Sequence, residues 1–579
     1  MNLYGISIQH PRSAIILFAT ISVFSIFGSI SESENRTIKS SRAKTDYEFT
    51  KKVNREFGPD GSEIILLINH EEQNGDLFDE GTSESFRELI KRIKKIPSVS
   101  EVFSFDQIPT FGMGLIKLPL FPEKGASLSQ RNNCRKRALN HPLVEGHLLS
   151  SDARTSLVPI SLNLKTKKKI NEILNVIRKE ANDTLKGSKI NAKLTGKIPI
   201  DIARRNAMKN EKLRFQIIGY VLSAILALIF FRGLVMTLIV TLPPCVGVFW
   251  TIGMLGFSSE RLNSLSMVIM PIILTMIGFT NAAHIVFQFQ RELLMGLSRK
   301  DAMASSMKKL GLPCMLSALT TAAGFASLIV AESNMISDFG RDCAVGTLIT
   351  FVAVILLLPL LGLLPFSYRV KRKDHSIKVN YNPLKKFTSF LINFVIRKAK
   401  WVVSISVILT VLFGVVTTDL KPDMYLLDQL PDNSESGEAL KVADQKLGGI
   451  QAIRIVAEWE SDTAEPIPII RKIEELVNQE KLLSRPLSIV GVLDSLPGFG
   501  KGSASRLQLL KKAPKDLINS LYRPDINKAL VVTRIQDLGV AQYTPVYERL
   551  ELKLEELTKS NPGFNFGLAG GAVGWGRYL

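Results

Sequence analysis

Three hydrogen-bonding side chains lie within an apolar stretch of this sequence. Asn281, His284 and Gln288 interrupt the segment IGFTNAAHIVFQFQRE, residues 277–292. Spacings of three and seven residues put them on one face of a helix. A polar face in a membrane helix should point into a helix bundle. Histidine is the one residue type of the three that can exchange a proton, so only His284 could carry one, whereas the two amides could only form hydrogen bonds.

This segment is one of seven apolar stretches that approach the roughly 20 residues needed to cross a bilayer. The sequence therefore predicts a polytopic α-helical membrane protein with about seven transmembrane helices. The stretches lie at about 13–30, 214–231, 234–256, 264–289, 313–331, 343–366 and 400–417.

Two long polar segments, 31–213 and 418–579, combine helical patterns with short alternating runs such as SEIILLINHE and AIRIVAEWE. Such runs are typical of strands, so each segment is predicted to fold as an α+β domain. The predicted organisation has six parts. They are a cytosolic head with helix 1 at 1–30, a first domain at 31–213, helices 2–6 at 214–366, a basic linker at 367–399, helix 7 at 400–417 and a second domain at 418–579.

The basic residues are concentrated in short loops. With a cytosolic N-terminus, the cytosolic segments hold 17 basic and 3 acidic residues, which is +14 of the formal charge of +20. Positive charge marks the cytosolic side of a membrane protein. We therefore expect a multi-pass protein of the inner (plasma) membrane with both large domains extracytoplasmic. A nucleic-acid partner is disfavoured, since its binding site would place the charge on a folded domain.

The sequence also repeats itself. REFGPDGSEIILLIN at 55–69 resembles QKLGGIQAIRIVAE at 445–458, and AKLTGKIPI at 192–200 resembles FGLAGGAVG at 566–574. Duplicated halves are typical of transporters. Each half would hold one span, one extracytoplasmic domain and five further spans, but the second half ends before its five spans. Either the chain is a fragment or it is naturally short, and the sequence leaves both open.

The stretch 231–366 resembles the resistance-nodulation-division (RND) superfamily, in its branch of MMPL and Patched-like lipid exporters. The resemblance rests on FRGLVMTLIVTLPP, IMPIILTMIGFTNAAHIVFQFQRELLMG, LGLPCMLSALTTAAGFASLIVAES and ISDFGRDCAVGTL, in this order. It implies a sterol-sensing-type bundle and two porter-type extracytoplasmic domains. It also implies export of a hydrophobic or lipid-like substrate, driven by an ion gradient in the complete protein.

The resemblance gives Asn281 a particular meaning. Proton-driven members carry an Asp three residues after the glycine that corresponds to Gly278, followed by an Arg-Glu pair that corresponds to Arg291 and Glu292. An amide has no proton to exchange. Three interpretations stay open: His284 carries the proton, the polar residues only form hydrogen bonds between helices, or the coupling residues belong to the absent second half.

Small and hydroxyl residues on the fifth span, Thr320, Thr321 and Gly324, are predicted to pack against a neighbouring helix, with substrate contact as the alternative. The sequence contains no phosphate-binding G-x-x-x-x-G-K-[ST] loop and no C-x-x-C pair. No group of nucleophile, base and orienting residue is evident. We therefore expect no enzyme activity, no metal site and no cofactor.

Two rivals to the exporter remain. A lipid sensor or scaffold that does not transport would account for the loss of the Asp, and an accessory to protein secretion of the SecD/SecF build is the other. The expected partners are the lipid bilayer and a hydrophobic or lipid-like substrate. The missing second bundle further predicts a homo-oligomer or a separate protein that supplies it.

Overall fold

The computed structural model describes residues 11–30, 43–58, 63–108, 110–111, 117–162, 170–231, 233–257, 264–331, 333–364, 382–418, 423–460, 465–495 and 518–578. The chain divides into two compact units. The helical unit comprises Met1–Thr37, Arg214–Ala331 and Met335–Pro422. The α+β unit comprises Ile38–Leu213, Glu332–Asn334 and Asp423–Leu579. The first part of the predicted basic linker, 367–381, lies outside the described residues.

The N-terminal third alternates helices with strands after one apolar helix. Its elements are α1 (Pro11–Ile30), α2 (Ala43–Phe57), β1 (Ile65–His70), α3 (Glu80–Lys94), β2 (Val99–Val102), β3 (Thr110–Phe111), β4 (Lys117–Leu118), α4 (Leu128–Leu139), β5 (Thr155–Leu162), α5 (Ile170–Leu185) and β6 (Ile190–Thr195).

Long helices then follow one another. They are α6 (Lys197–Phe231), α7 (Leu234–Gly256), the short α8 (Ser264–Val268), α9 (Met270–Leu294), α10 (Arg299–Ala326), α11 (Asn334–Gly362), α12 (Asn382–Arg397) and α13 (Ala399–Thr417). Seven helices in the described residues, α1, α6, α7, α9, α10, α11 and α13, are long and apolar enough to cross a membrane. The prediction of a polytopic helical membrane protein is thereby confirmed.

The last third returns to mixed structure. Its elements are α14 (Glu435–Leu447), β7 (Gln451–Trp459), α15 (Pro466–Asn478), α16 (Ile489–Ser495), β8 (Tyr522–Arg523), β9 (Lys528–Ile535), α17 (Val540–Ser560), β10 (Phe564–Ala569) and α18 (Gly571–Tyr578).

Glycines bring three helices of the helical unit into close contact. A Cβ atom added to Gly247 of α7 would lie 2.7 Å from the Thr350 Cα of α11. A Cβ added to Gly278 of α9 would lie 2.7 Å from the Thr350 Cγ2 and 2.9 Å from the Pro244 Cβ. Small residues let membrane helices pack backbone to backbone. The contact places α7, α9 and α11 around one point, one helical turn before Asn281.

The α+β unit contains two four-stranded antiparallel sheets with the same topology. The first has the strand order β2-β5-β1-β6, and the second, read in the same direction, has β8-β9-β7-β10. The repeated sequences occupy matching positions, since 55–69 runs into β1 and 445–458 into β7. In the first sheet β1 lies between β5 and β6, and in the second β7 lies between β9 and β10. The topology therefore agrees with the internal repeat found in the sequence.

The helix before each sheet packs against the other copy. From α2, Val53 and Phe57 contact a cluster on the second sheet, whereas α14 buries apolar side chains against the first sheet and Ile200. Polar contacts stabilise this exchange of helices between the two copies. Glu435 of α14 accepts from the Arg178 Nε at 2.7 Å and from the Leu194 backbone N–H at 2.8 Å. The two copies thus fold as one body.

Candidate functional site

The polar stripe of α9 is divided among three environments. Asn281 is buried and only 4% exposed. His284 is exposed on the outer surface of the helical unit, and Gln288 is half-buried. The Gln288 Nε2 donates to the Glu292 Oε1 at 2.6 Å. The structure therefore brings Gln288 and Glu292 together, while His284 points away from the buried position of Asn281.

Glu292 forms a polar contact between α9 and α10. Its side chain is 3% exposed, and its Oε1 lies 2.6 Å from the Lys309 Nζ, whose own side chain is half-exposed. A buried carboxylate needs such a partner, because an unpaired charge in apolar surroundings is strongly disfavoured. The contact ties the end of α9 to α10. The sequence had singled out Glu292 only through the family's Arg-Glu pair.

Thr320, Thr321 and Gly324 lie on an open side of α10. The hydroxyls of Thr320 and Thr321 donate to the Ser317 carbonyl of their own helix at 3.0 and 2.8 Å. A Cβ at Gly324 would have no neighbour within 4 Å among the described residues. In this part of the helix, Ala318 and Ala322 are small residues that are buried. Among the described residues, glycines bring helices close together elsewhere, between α1 and α7 and among α7, α9 and α11.

Sequence reasoning missed Asp342, a carboxylate on α11 that is 2% exposed. It lies just before the predicted span at 343–366, and α11 begins eight residues earlier, at Asn334. An acidic residue beside a strongly apolar run is the signal that could have found it.

A cavity of about 380 Å³ lies between the N-terminal part of the membrane portion of α6 and the start of α9. Apolar side chains dominate its wall, and Leu222 and Met276 on its border are exposed on the lateral surface of the helical unit. Gly219 leaves part of the space open, since the nearest atom to an added Cβ would be 3.9 Å away. Hydrogen-bonding groups are contributed by Gln216, Tyr220, Ser223, Thr275 and Thr280.

The α+β unit holds a second cavity, of about 260 Å³. Its lining combines apolar residues with Lys197 and Arg204 from α6, and with Asp537 and Tyr543. The Arg204 guanidinium is held by the Gln429 Oε1 at 3.0 Å and by the Asp201 Oδ1 at 2.8 Å. Charged and apolar groups in one cavity suit an amphipathic ligand.

Two neighbouring carboxyl groups beside this cavity have perturbed acidity. Burial raises the pKa of Asp444 to about 7, against the hydrogen bond that its Oδ2 accepts from the Asp537 N–H at 3.1 Å. Burial also raises the pKa of Asp537, whose oxygens accept from the backbone N–H groups of Leu426 and Leu427 at 2.8 and 2.7 Å. The pair thus includes a carboxyl that titrates near neutral pH.

These features define a class: a polytopic helical membrane protein whose duplicated α+β folds form one unit and in which two helices border an apolar cavity. Residues 40–381 match the MMPL family, which covers more than half of the chain. The protein therefore belongs to the MMPL family, within the RND superfamily. It is similar to a protein of Methanocaldococcus jannaschii that is described as a membrane protein, with 23% identity over 326 residues, 55% of this chain and 80% of that protein.

Proposed function

We propose that this protein is an RND-type transporter that exports a hydrophobic, lipid-like substrate across the inner membrane with an ion gradient as the driving force. Membership of the MMPL family supports a transporter. The substrate class is inferred from the cavity between α6 and α9. No covalent chemistry on the substrate is required.

The main support for a lipid-like substrate is the position of this cavity. The lateral surface around it is apolar, with Phe215 46%, Leu222 55% and Met276 62% exposed. In a bilayer, such a surface faces acyl chains, so a lipid-like molecule can enter from the membrane without crossing water. The few hydroxyl and amide groups on the wall provide partners for a polar head group. A small hydrophilic substrate would gain little from this lining.

The cavity of the α+β unit supports the same substrate class independently. An acyl chain needs apolar walls, and an anionic or polar head group needs donors such as Lys197 and Arg204. Both cavities therefore favour an amphipathic molecule. We propose that each holds the substrate at a different stage of transport.

The test is lipid release from proteoliposomes that contain the purified full-length chain and total lipid extract with a fluorescent phospholipid tracer. We expect gradient-dependent release to an acceptor, and loss of release with Gly219→Trp, because an indole at this position fills the cavity. Gly324→Trp is the matched control, since its side chain enters open space on another helix. Equal release from both variants would contradict the role of the cavity. Lipid binding without release from wild type would favour a sensor.

A further inference from the structure

A carboxylate lies inside the helical unit, apart from the polar stripe of α9. The Asp342 side chain is 3% exposed, although it belongs to a helix whose apolar composition suits a membrane span. Its nearest apolar neighbours on α11 include Phe339 and Cys343, which pack with Met270 and Leu274 of α9. Burying an ionised carboxylate costs several kcal/mol unless it is well paired.

The pairing of Asp342 is weak. The Arg341 Nη2 lies 3.4 Å from the Asp342 Oδ1 and also 3.4 Å from the Asp338 Oδ1, so one guanidinium serves two carboxylates. The Arg341 side chain is 41% exposed, which screens its charge. The Ser266 side chain from α8 is the neutral hydrogen-bonding group that faces the carboxyl. A charged Asp342 is therefore only partly compensated, and a neutral one fits the site.

Among the described residues, the helices packed here bring no acidic or basic side chain to Asp342. The short α8 contains none, and on α10 the last one, Lys309, lies 16 positions before Phe325, which packs in this cluster. The sequence of α7 contains no Asp, Glu, Lys, Arg or His. On α9 the ionisable residues His284, Arg291 and Glu292 lie at least ten positions beyond Leu274. Asp342 is thus an isolated carboxyl whose charge state depends on Arg341 and Asp338.

A row of small and hydroxyl residues leads inward from this carboxyl. Gly346, one turn after Asp342, lies against Leu274 of α9 and Thr251 of α7, since an added Cβ would be 2.6 Å from the Leu274 Cδ1 and 2.9 Å from the Thr251 Cγ2. Thr350 follows, and its buried hydroxyl has no hydrogen-bond partner in the described part of the chain. Eight residues of helix correspond to about 12 Å. Thr350 contacts Gly278, one turn before the buried Asn281.

The row ends at an apolar barrier. Between Asn281 and Gln288, a helical rise of about 10 Å, the inward positions of α9 are Ala282, Ile285 and Val286, all buried in one hydrophobic cluster. Polar groups therefore approach this barrier from both ends of the bundle, with Asp342 on one side and Glu292 on the other. A transporter that couples to an ion needs this kind of interruption, because a continuous polar path would leak.

We propose that Asp342 is the proton-carrying carboxyl of this bundle, and that Thr350 and Asn281 line the route between it and the apolar barrier. This inference rests on the proposed function and places the coupling group on α11 instead of on α9. In the step, one carboxylate oxygen takes a proton from a hydronium ion, a water molecule is left, and the side chain becomes neutral. The neutral side chain no longer attracts Arg341, whose ion pair with Asp338 remains. Release of the same proton to water restores the ion pair.

The test combines chemical labelling with transport. Dicyclohexylcarbodiimide adds to protonated carboxyl groups in apolar surroundings, and mass spectrometry of the purified full-length protein locates the adduct. We expect labelling of wild type at Asp342 that decreases with rising pH and is absent in Asp342→Asn. Asp301→Asn, which removes an exposed carboxyl of α10 away from Arg341, should keep the label at Asp342. In proteoliposomes, Asp342→Asn should lose lipid release driven by a pH gradient, and Asp301→Asn, which changes an exposed carboxyl of α10, should retain it.

Two results would overturn the inference: Asp342 stays unlabelled at every pH, or gradient-driven release persists in Asp342→Asn. The labelling of wild type needs no variant, so a folding defect in Asp342→Asn does not remove the test. Absence of lipid release from wild type under any gradient would refute the proposed function, while labelling would still decide whether Asp342 takes up a proton.

Discussion

Replacement of Asp444 by Asn should stabilise the α+β unit in a pH-dependent way. Burial raises the pKa of the Asp444 carboxyl from its ordinary value of 3.8 to about 7. The folded protein then retains a proton that the unfolded chain has lost. Between about pH 4 and pH 7 the folded state binds more protons, so the free energy of unfolding falls as pH rises through this window. Asn stays neutral throughout and keeps an oxygen to accept from the Asp537 N–H.

The magnitude follows from this window. Each pH unit within it removes about 1.4 kcal/mol. Between pH 5 and pH 8 wild type should therefore lose about 2–3 kcal/mol relative to Asp444→Asn, nearly all of it below pH 7. Other ionisable groups titrate equally in both proteins, so their contributions cancel in the difference between the two free energies of unfolding. The Asp444 side chain is only half-buried and keeps some contact with water, so this difference in the free energy of unfolding is an upper value.

Native-state hydrogen exchange of the full-length protein measures the effect locally. The amides of β7 and β9, which pair from Gln451 to Glu458, report the free energy of opening of the second sheet after correction for intrinsic rates. We expect the protection ratio of Asp444→Asn to wild type to increase by up to about 100-fold from pH 5 to pH 8. Asp432→Asn, an exposed acid near α14, is the matched control and should follow wild type. A ratio for Asp444→Asn that is constant over this pH range would refute the reasoning.

Two further changes test the helical unit and its orientation. Gly278→Val should lower the free energy of unfolding of the detergent-solubilised protein by about 1–3 kcal/mol, because the larger side chain overpacks against α11. Gly324→Val should have little effect. Equal stability of the two variants in thermal unfolding would contradict the close contact. A membrane-impermeant maleimide should label Leu552→Cys in intact cells but Leu297→Cys only after lysis. Both side chains are exposed, and the charge asymmetry predicts that they lie on opposite sides of the membrane. Labelling of both in intact cells would contradict the expected topology.

Much of the fold could be predicted from the sequence, because membrane spans and strands have strong local signals. The seven apolar stretches correspond to seven helices, and the repeated segments lie on equivalent strands. The exchange of α2 and α14 between the two copies could not be predicted. It depends on tertiary contacts such as that of Glu435 with Arg178, which is 257 residues away.

The candidate site was harder to predict. Helical periodicity placed Asn281, His284 and Gln288 on one face, but their angular spread is wide enough for one to be buried and another exposed. Asp342 was missed because hydropathy detects the apolar part of α11 and not its polar first turns. The acidity of Asp444 was equally invisible, since its cause is burial beside Asp537 and α17, which the sequence places about 90 residues apart.

The most direct test of the central claim is to locate a bound lipid in the full-length protein. A phospholipid with a diazirine on its acyl chain is incorporated into proteoliposomes and photoactivated, and the adducts are mapped by mass spectrometry. The proposed function predicts adducts concentrated on the residues of α6 and α9 that line the cavity, and their loss with Gly219→Trp but not with Gly324→Trp. Adducts spread evenly over the exposed faces of α1, α10 and α13, and unchanged by Gly219→Trp, would contradict it.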